Sequence, residues 1–129
     1  MPSDADENIV VLVMDWRDGD VRLIESSLER AGLHVVNCSS GREALDFFKT
    51  YRPSIRLAIV DPATSGVDLP KFLASTGPDI RILFVASEEF YDRLPERANV
   101  WGKLRKPFRR AQLLGSVLKA VDEELAQAV

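Results

Sequence analysis

Four side chains of types that do chemistry together each stand at the edge of an apolar run: Asp15, Asp61, Ser87 and Lys106. Asp15 ends Val-Leu-Val-Met-Asp, Asp61 ends Ala-Ile-Val-Asp, Ser87 ends Val-Ala-Ser, and Lys106 opens Lys-Pro-Phe. Two carboxylates can share a divalent cation, while a hydroxyl and an ammonium beside them can hold an anion. A phosphate-like anion suits this set. A carboxylate attacking phosphorus is repelled by the phosphoryl oxygens, and a metal ion plus an ammonium neutralise that repulsion. Asp61 is the preferred nucleophile because it follows the run that reads as the most central strand.

These residues are distant in the chain, so the elements between them must bring them together. Ile9 to Met14 is a short, unbroken apolar run rich in β-branched types, which predicts a strand covered on both faces. Val21, Ile24, Leu28 and Ala31 recur at helical spacing over about residues 19 to 31, with Gly32 as the stop signal. Leu33 to Asn37 predicts a brief second strand. Ser40-Gly41-Arg42-Glu43 is a capping-box pattern opening a helix that buries Ala44, Leu45 and Phe48 and closes at Arg52-Pro53. Ile55 to Val60 and Ile80 to Ala86 predict strands three and four, with a short amphipathic helix, Gly66 to Ser75, between them. Glu88 to Ala98 reads as a helical stretch interrupted by Pro95, and Val100 to Leu104 as the fifth strand. Leu114, Val117, Leu118, Val121 and Leu125 trace a long final helix from Phe108 to about Gln127, introduced by Pro107.

Alternation of strand and helix implies parallel strands, right-handed crossovers and helices on both sheet faces. The expected fold is a doubly wound, flavodoxin-like α/β domain with strand order 2-1-3-4-5. Ligands of such sheets lie outside the carboxyl ends of the strands, where Asp15, Asp61, Ser87 and Lys106 all fall. The second strand ends without a charge, and this topology puts that strand at an edge, away from the crevice. His34, on the same edge strand, is expected to be structural or solvent-facing.

At 129 residues the chain has the size of one domain, and 46% hydrophobic with 29% charged residues is ordinary globular composition. A net charge of −3 argues against nucleic acid as the main ligand. Cys38 stands alone, so no internal disulfide is possible, and it reads as a small buried hydrophobe of a reducing compartment. No apolar stretch approaches the ~20 residues that span a bilayer, and the acidic start is unlike a secretory signal, so a cytoplasmic protein without membrane contact is expected. Residues 1–8 are expected to form a flexible acidic tail ahead of a domain over residues 9–129. The length leaves no room for a DNA-binding output domain after Val129, so output is expected to run through surface contacts or a segment outside this chain.

From about residue 8 to residue 124 the motifs, in order, resemble the receiver domains of two-component response regulators. Asp15 is similar to that family's first acidic position, Asp61 to its phosphoacceptor, Ser87 to its Thr/Ser and Lys106-Pro107-Phe108 to its Lys-Pro-Phe, while Gly66-Val67-Asp68 resembles its Gly-Met-Asp. The resemblance implies that Asp61 accepts a phosphoryl group from a sensor histidine kinase or phosphotransfer protein. It implies Mg²⁺ on Asp15, Asp61 and the carbonyl of Ala63, with Ser87 and Lys106 on the phosphoryl oxygens. It also implies a cis Lys106-Pro107 peptide, possible homodimers, and a conformational equilibrium read at helix four, strand five and helix five.

The chain departs from that pattern at four places. Trp16 stands where the family has a second acid. A unit charge 4 Å from a cation is worth roughly 4 kcal/mol at an effective dielectric near 20, so losing even a third of it costs about tenfold in metal affinity. Weak Mg²⁺ binding is expected, with Trp16 overhanging the metal position. Asp18 and Asp20 are candidates to compensate, Asp18 being equally suited to cap the first helix. Lys103 replaces the switch aromatic, with Trp101 two residues earlier; Ser65 replaces a proline, and Leu69 the glycine of an Asp-Gly pair. The stretch between Ser87 and Lys106 is about a turn short, which predicts a stunted fourth helix. The run Arg105, Lys106, Arg109, Arg110 reads as a solvated helix start. A pseudo-receiver, docking without phosphorylation, is the competing reading. An aspartyl phosphatase ranks last, since Asp15-Trp16-Arg17 lacks a second acid two residues on, and no enzyme activity is expected.

Overall fold

The computed structural model describes residues 10–15, 17–51, 55–64, 68–76, 80–95 and 100–128. The expected tail, Trp16 and Ser65 lie outside them. In chain order the elements are β1 (Val10–Met14), α1 (Asp18–Arg30), β2 (His34–Cys38), α2 (Gly41–Tyr51), β3 (Ile55–Val60), α3 (Leu69–Thr76), β4 (Arg81–Ala86), α4 (Glu88–Tyr91), β5 (Val100–Arg105) and α5 (Arg110–Ala128). The five strands pair in parallel in the order β2-β1-β3-β4-β5.

The apolar runs form central strands because successive side chains point to opposite faces and both faces are covered. Val11, Val13, Leu57, Ile59, Leu83 and Val85 face one side, against Ile24 and Leu28 of α1 and Leu113, Val117 and Val121 of α5. Leu12, Met14, Ala58, Val60, Ile82 and Phe84 face the other, against Ala44 and Phe48 of α2 and Phe72 and Leu73 of α3. Burying one such side chain fully stabilises by about 1.5–3 kcal/mol, so these strands are the fixed frame from which the loops project. Cys38 is one of the buried residues, and burial pushes its thiol up to about 12, which suits a packed hydrophobe rather than a reactive thiolate. His34 is exposed on the edge strand.

Local signals explain where most helices begin and end. At the end of α1, Gly32 takes φ +83°, its N–H donates to the Glu29 carbonyl and the Leu33 N–H donates to the Leu28 carbonyl, at 2.9 and 3.0 Å. Leu28 and Leu33 then meet in the same core cluster, the hydrophobic contact that goes with this cap. At the start of α2 the Glu43 N–H donates to Ser40 Oγ at 3.2 Å, half of the expected capping box, while the Glu43 carboxylate accepts from the Ser39 hydroxyl at 3.3 Å. Asp68 caps α3, which begins at Leu69, through the Lys71 N–H at 3.2 Å; the expected start at Gly66 lies outside the described residues.

Two expectations are corrected. Asp18 is the first helical residue of α1, and the capping position belongs to Arg17, in an extended conformation without a side-chain cap bond. Among the described residues of the stretch expected to be helical from Glu88 to Ala98, only the four residues of α4 are helical, in line with a stunted fourth helix; residues 96–98 lie outside the described residues. Pro95 disfavours helical backbone at Leu94 and thereby limits the helix.

β5 carries a bulge: Ile82 pairs with Val100 but Leu83 with Gly102, so Trp101 is the extra residue. The bulge turns Trp101 toward α5, where it packs on the Leu83 cluster and its indole N–H donates to the Ser116 carbonyl at 3.0 Å. Phe84, fully buried in the central β4, tests the frame: Phe84→Ala is expected to lower unfolding free energy by about 3–5 kcal/mol, measured by urea denaturation.

Candidate functional site

The site grows out of two hydrogen-bond ladders that run one residue past their strands. The Asp61 N–H donates to the Met14 carbonyl at 2.8 Å, which sets Asp61 beside Asp15 at the carboxyl ends of β3 and β1. The Lys106 N–H donates to the Ala86 carbonyl at 2.8 Å, extending the β4–β5 ladder in the same way. The Lys106-Pro107 peptide is cis. The turn after β3 is held by the Ala63 N–H on Asp61 Oδ1 at 2.8 Å and by the Thr64 N–H on the Asp61 carbonyl at 3.1 Å. The buried Thr64 hydroxyl donates back to the Met14 carbonyl at 3.3 Å, tying the turn to β1.

The Lys106 ammonium reaches across the sheet end to the acids. Its Nζ lies 2.6 Å from Asp61 Oδ2, 2.8 Å from Asp15 Oδ2 and 3.0 Å from Asp20 Oδ2. The side chains of Lys106, Asp15 and Asp61 are 7%, 0% and 4% exposed, so these pairs are shielded from solvent, whereas Asp20 is 28% exposed. Asp15 Oδ1 also accepts the Arg17 N–H at 3.2 Å.

Burial pushes the Asp15 carboxyl above its ordinary value of 3.8; the Lys106 and Arg17 hydrogen bonds oppose the rise, and the charge of Asp61 adds to it. For Lys106, burial favours the neutral amine, but hydrogen bonds to Asp15, Asp61 and Asp20 outweigh it and hold the ammonium above 10.5. The two shifts have different origins: burial raises the Asp15 carboxyl against the pull of Lys106, whereas hydrogen bonds to the acids raise Lys106 against burial.

Of the four residues singled out in the sequence, Asp15, Asp61 and Lys106 meet in one pocket. Ser87 stands at the end of β4 as the residue before α4, its carbonyl accepting the Phe90 and Tyr91 N–H groups, each at 3.0 Å. Its hydroxyl caps nothing, and among the described residues no hydrogen bond joins it to the pocket. Ala63 adjoins Asp61 through its N–H. Asp20 enters from the first turn of α1, five residues after Asp15, and Thr64 had no signal in the sequence at all. The basic run is not uniformly solvated: Lys106 is buried, and Arg110 donates to Ser27 Oγ at 3.0 Å and Ser26 Oγ at 3.2 Å, joining α5 to α1. On the far face of β5, the Lys103 ammonium and Arg105 guanidinium lie 4.6 and 4.5 Å from the Tyr91 ring centroid, and Arg105 is 3.7 Å from Glu88.

No family model matches the chain. Among curated proteins it is 33% identical over 114 residues to the response regulator MprA of Mycolicibacterium vanbaalenii, covering 81% of this chain and 46% of that protein. It is 33% identical over 89 residues to the alkaline phosphatase synthesis transcriptional regulatory protein PhoP of Bacillus subtilis, covering 67% and 37%. It is 30% identical over 132 residues to the sensor kinase CckA of Brucella abortus, covering 95% and 13%. The chain thus spans less than half the length of each of these relatives. Among solved structures it matches a response regulator receiver domain protein from Clostridium thermocellum with a TM-score of 0.81 at 22% identity, over 92% of this chain and 98% of that one. The signal receiver domain of a modulated diguanylate cyclase from Desulfovibrio desulfuricans G20 matches with a TM-score of 0.73 at 26% identity, over 92% and 97%. Strand order, the acidic pocket at the strand ends and these likenesses agree: the chain is a receiver domain of the response-regulator type.

Removing Lys106 leaves the buried acids without their counter-ion. Lys106→Met is expected to lower stability by about 3–5 kcal/mol near neutral pH. The loss is expected to shrink as pH falls through the raised Asp15 value, because folded Asp15 binds its proton more tightly than the unfolded chain does. In the native chain the raised Asp15 value makes its contribution to stability fall as pH rises from 3.8 through the folded value. Lys106 contributes fully below 10.5 and loses its contribution as pH climbs through its raised folded value. Urea denaturation of both proteins across pH reads these signs.

Proposed function

We propose that Asp61 is the phosphoacceptor of a phosphorelay, loaded by a histidine kinase or phosphotransfer protein in the cytoplasm. The observation that carries this reading is the Lys106 ammonium, 2.6 Å from Asp61 Oδ2 in a pocket closed to bulk water at the carboxyl ends of the strands. In such a pocket a fixed positive charge acts with little screening on an anion that arrives there.

In the transfer, an Asp61 carboxylate oxygen attacks phosphorus in line with its bond to the donor imidazole nitrogen. The O–P bond forms as the P–N bond breaks, and the bonding pair returns to the imidazole. Asp61 Oδ1 is oriented by the Ala63 N–H, which leaves Oδ2, on the lysine side, facing the incoming group. Lys106 passes from the carboxylate to the phosphoryl oxygens as charge moves onto them. The Ser87 hydroxyl, uncommitted at the end of β4, supplies a donor for a phosphoryl oxygen. The oxygen-only donor set fits a small hard cation: Asp15, Asp61 and the Ala63 carbonyl would hold Mg²⁺, which neutralises phosphoryl charge when bound. The chain acts as an acceptor and a signal, not as an enzyme that turns over a small substrate.

Intact mass after treatment with acetyl phosphate and Mg²⁺ tests this. One phosphoryl adduct is expected in the native chain and none in Asp61→Asn, with Lys106→Ala forming it roughly a hundredfold more slowly, as for loss of one charge-stabilising donor. No adduct on the native chain, with the fold intact by circular dichroism, would leave a docking module that works without phosphorylation.

A further inference from the structure

We propose that Thr64 is a positioning residue for phosphoryl acceptance: its hydroxyl fastens the far end of the turn that carries Asp61 to the Met14 carbonyl, and so fixes where the Asp61 carboxylate points. The inference deepens the reading of Asp61 as acceptor and rests on it.

Asp61, Pro62, Ala63 and Thr64 form a tight turn in which the Thr64 N–H donates to the Asp61 carbonyl at 3.1 Å. Asp first and Pro second suit such a turn, because the ring fixes φ of Pro62 and the carboxylate can accept an N–H two residues on. That bond is present, from the Ala63 N–H to Asp61 Oδ1 at 2.8 Å, and it leaves Oδ2 toward Lys106. The carboxylate is therefore oriented by the turn, and its direction is only as fixed as the turn itself. At its near end the turn is tied to β1 by the Asp61 N–H, which donates to the Met14 carbonyl at 2.8 Å. One such bond is a pivot. The Thr64 hydroxyl reaches the same oxygen at 3.3 Å, so both ends of the turn are held by one atom of β1, and both of its lone pairs are taken. Packing does not demand this hydroxyl. Thr64 is 3% exposed, and a valine of the same shape would fill the site and leave the Met14 carbonyl still satisfied by the Asp61 N–H. What the hydroxyl adds is a second point of attachment, at the turn that aims the acceptor. It is the longer of the two bonds, so its loss frees the turn without unfolding the sheet.

Thr64→Val removes the hydroxyl and keeps the shape, whereas Thr64→Ser keeps the hydroxyl and removes a buried methyl group, so positioning and packing make opposite forecasts. A reacting atom displaced by about 1 Å costs roughly a hundredfold in rate, and a turn still held at one end moves less. Thr64→Val is therefore expected to take the phosphoryl group from acetyl phosphate about tenfold more slowly, at a melting temperature close to the native one. Thr64→Ser is expected to react at nearly the native rate while melting a few degrees lower. Thr76→Val should leave the rate unchanged; it removes the other buried threonine hydroxyl among the described residues, which donates to the Leu73 carbonyl within α3. Hydrogen exchange at the Ala63 amide, whose bond to Asp61 Oδ1 reports the carboxylate's direction, needs no phosphorylation. It should quicken in Thr64→Val and hold in Thr64→Ser. A native rate or unchanged Ala63 exchange in Thr64→Val, or Thr64→Ser as slow as Thr64→Val, would overturn the assignment. A native chain that takes no adduct would sink the acceptor reading, and the Ala63 exchange would still decide whether Thr64 aims the carboxylate.

Discussion

A lysine ammonium taken out of water gives up hydration worth several kcal/mol, and at Lys106 the loss is offset because carboxylates from the end of β1, the first turn of α1 and the end of β3 close on it. That constraint works in both directions. Asp15 and Asp61 are themselves buried at the ends of β1 and β3, where a carboxylate without a counter-ion is costly. The pocket is thus stable as a set and costly when broken. The sheet order follows from this need as much as it serves it: β1 and β3 adjoin, and β5 delivers the lysine over the end of β4. A different order would leave two acids and a lysine buried apart.

The frame was legible in the sequence because it rests on periodicity. Unbroken apolar runs such as Val10 to Met14 and Ile82 to Ala86 admit one reading, a strand covered on both faces, and strict alternation with helices leaves little choice of topology. Asp15, Asp61 and Lys106 could be singled out for the same reason, since in a parallel sheet the residue after a strand has a known place. Ser87 shares that place, yet its hydroxyl joins no hydrogen bond of the pocket, because position after a strand fixes the backbone and not the rotamer. Asp20 was legible only as one of two candidates: whether it or Asp18 turns inward depends on where α1 begins, and helix starts are the least determined feature of a sequence. Thr64 was not legible, because its hydroxyl reaches a carbonyl fifty residues away that no local pattern announces.

β5 illustrates how one inserted residue redistributes roles. Without the bulge, Trp101 would share a face with Lys103 and Arg105; with it, the indole lies under α5, beneath the Arg81 guanidinium, and its N–H is committed to the Ser116 carbonyl. An aromatic so packed is part of the core and is not free to swing. The exposed face of β5 is left to Lys103 and Arg105, both drawn to the ring of Tyr91. Each such cation–π contact is worth about 0.5–1 kcal/mol at an exposed site, enough to orient a four-residue helix that buries no residue of its own.

That arrangement gives the pocket a short mechanical route to the surface. Arg105 precedes Lys106 in the chain, and Glu88 follows Ser87, so the residues that hold α4 to β5 are the immediate neighbours of two residues proposed to meet a phosphoryl group. α4 has a single turn, few internal hydrogen bonds and no buried side chain, which places it at the low-stability end of the fold. The pocket beneath it is held by buried ion pairs and by the ladder from Ala86 to Lys106. A change of charge at Asp61 that draws Lys106 and Ser87 inward therefore meets stiff resistance from the sheet and little from α4. A movement started there would follow the softer element, and the Tyr91 clamp of Lys103 and Arg105 is where it would surface.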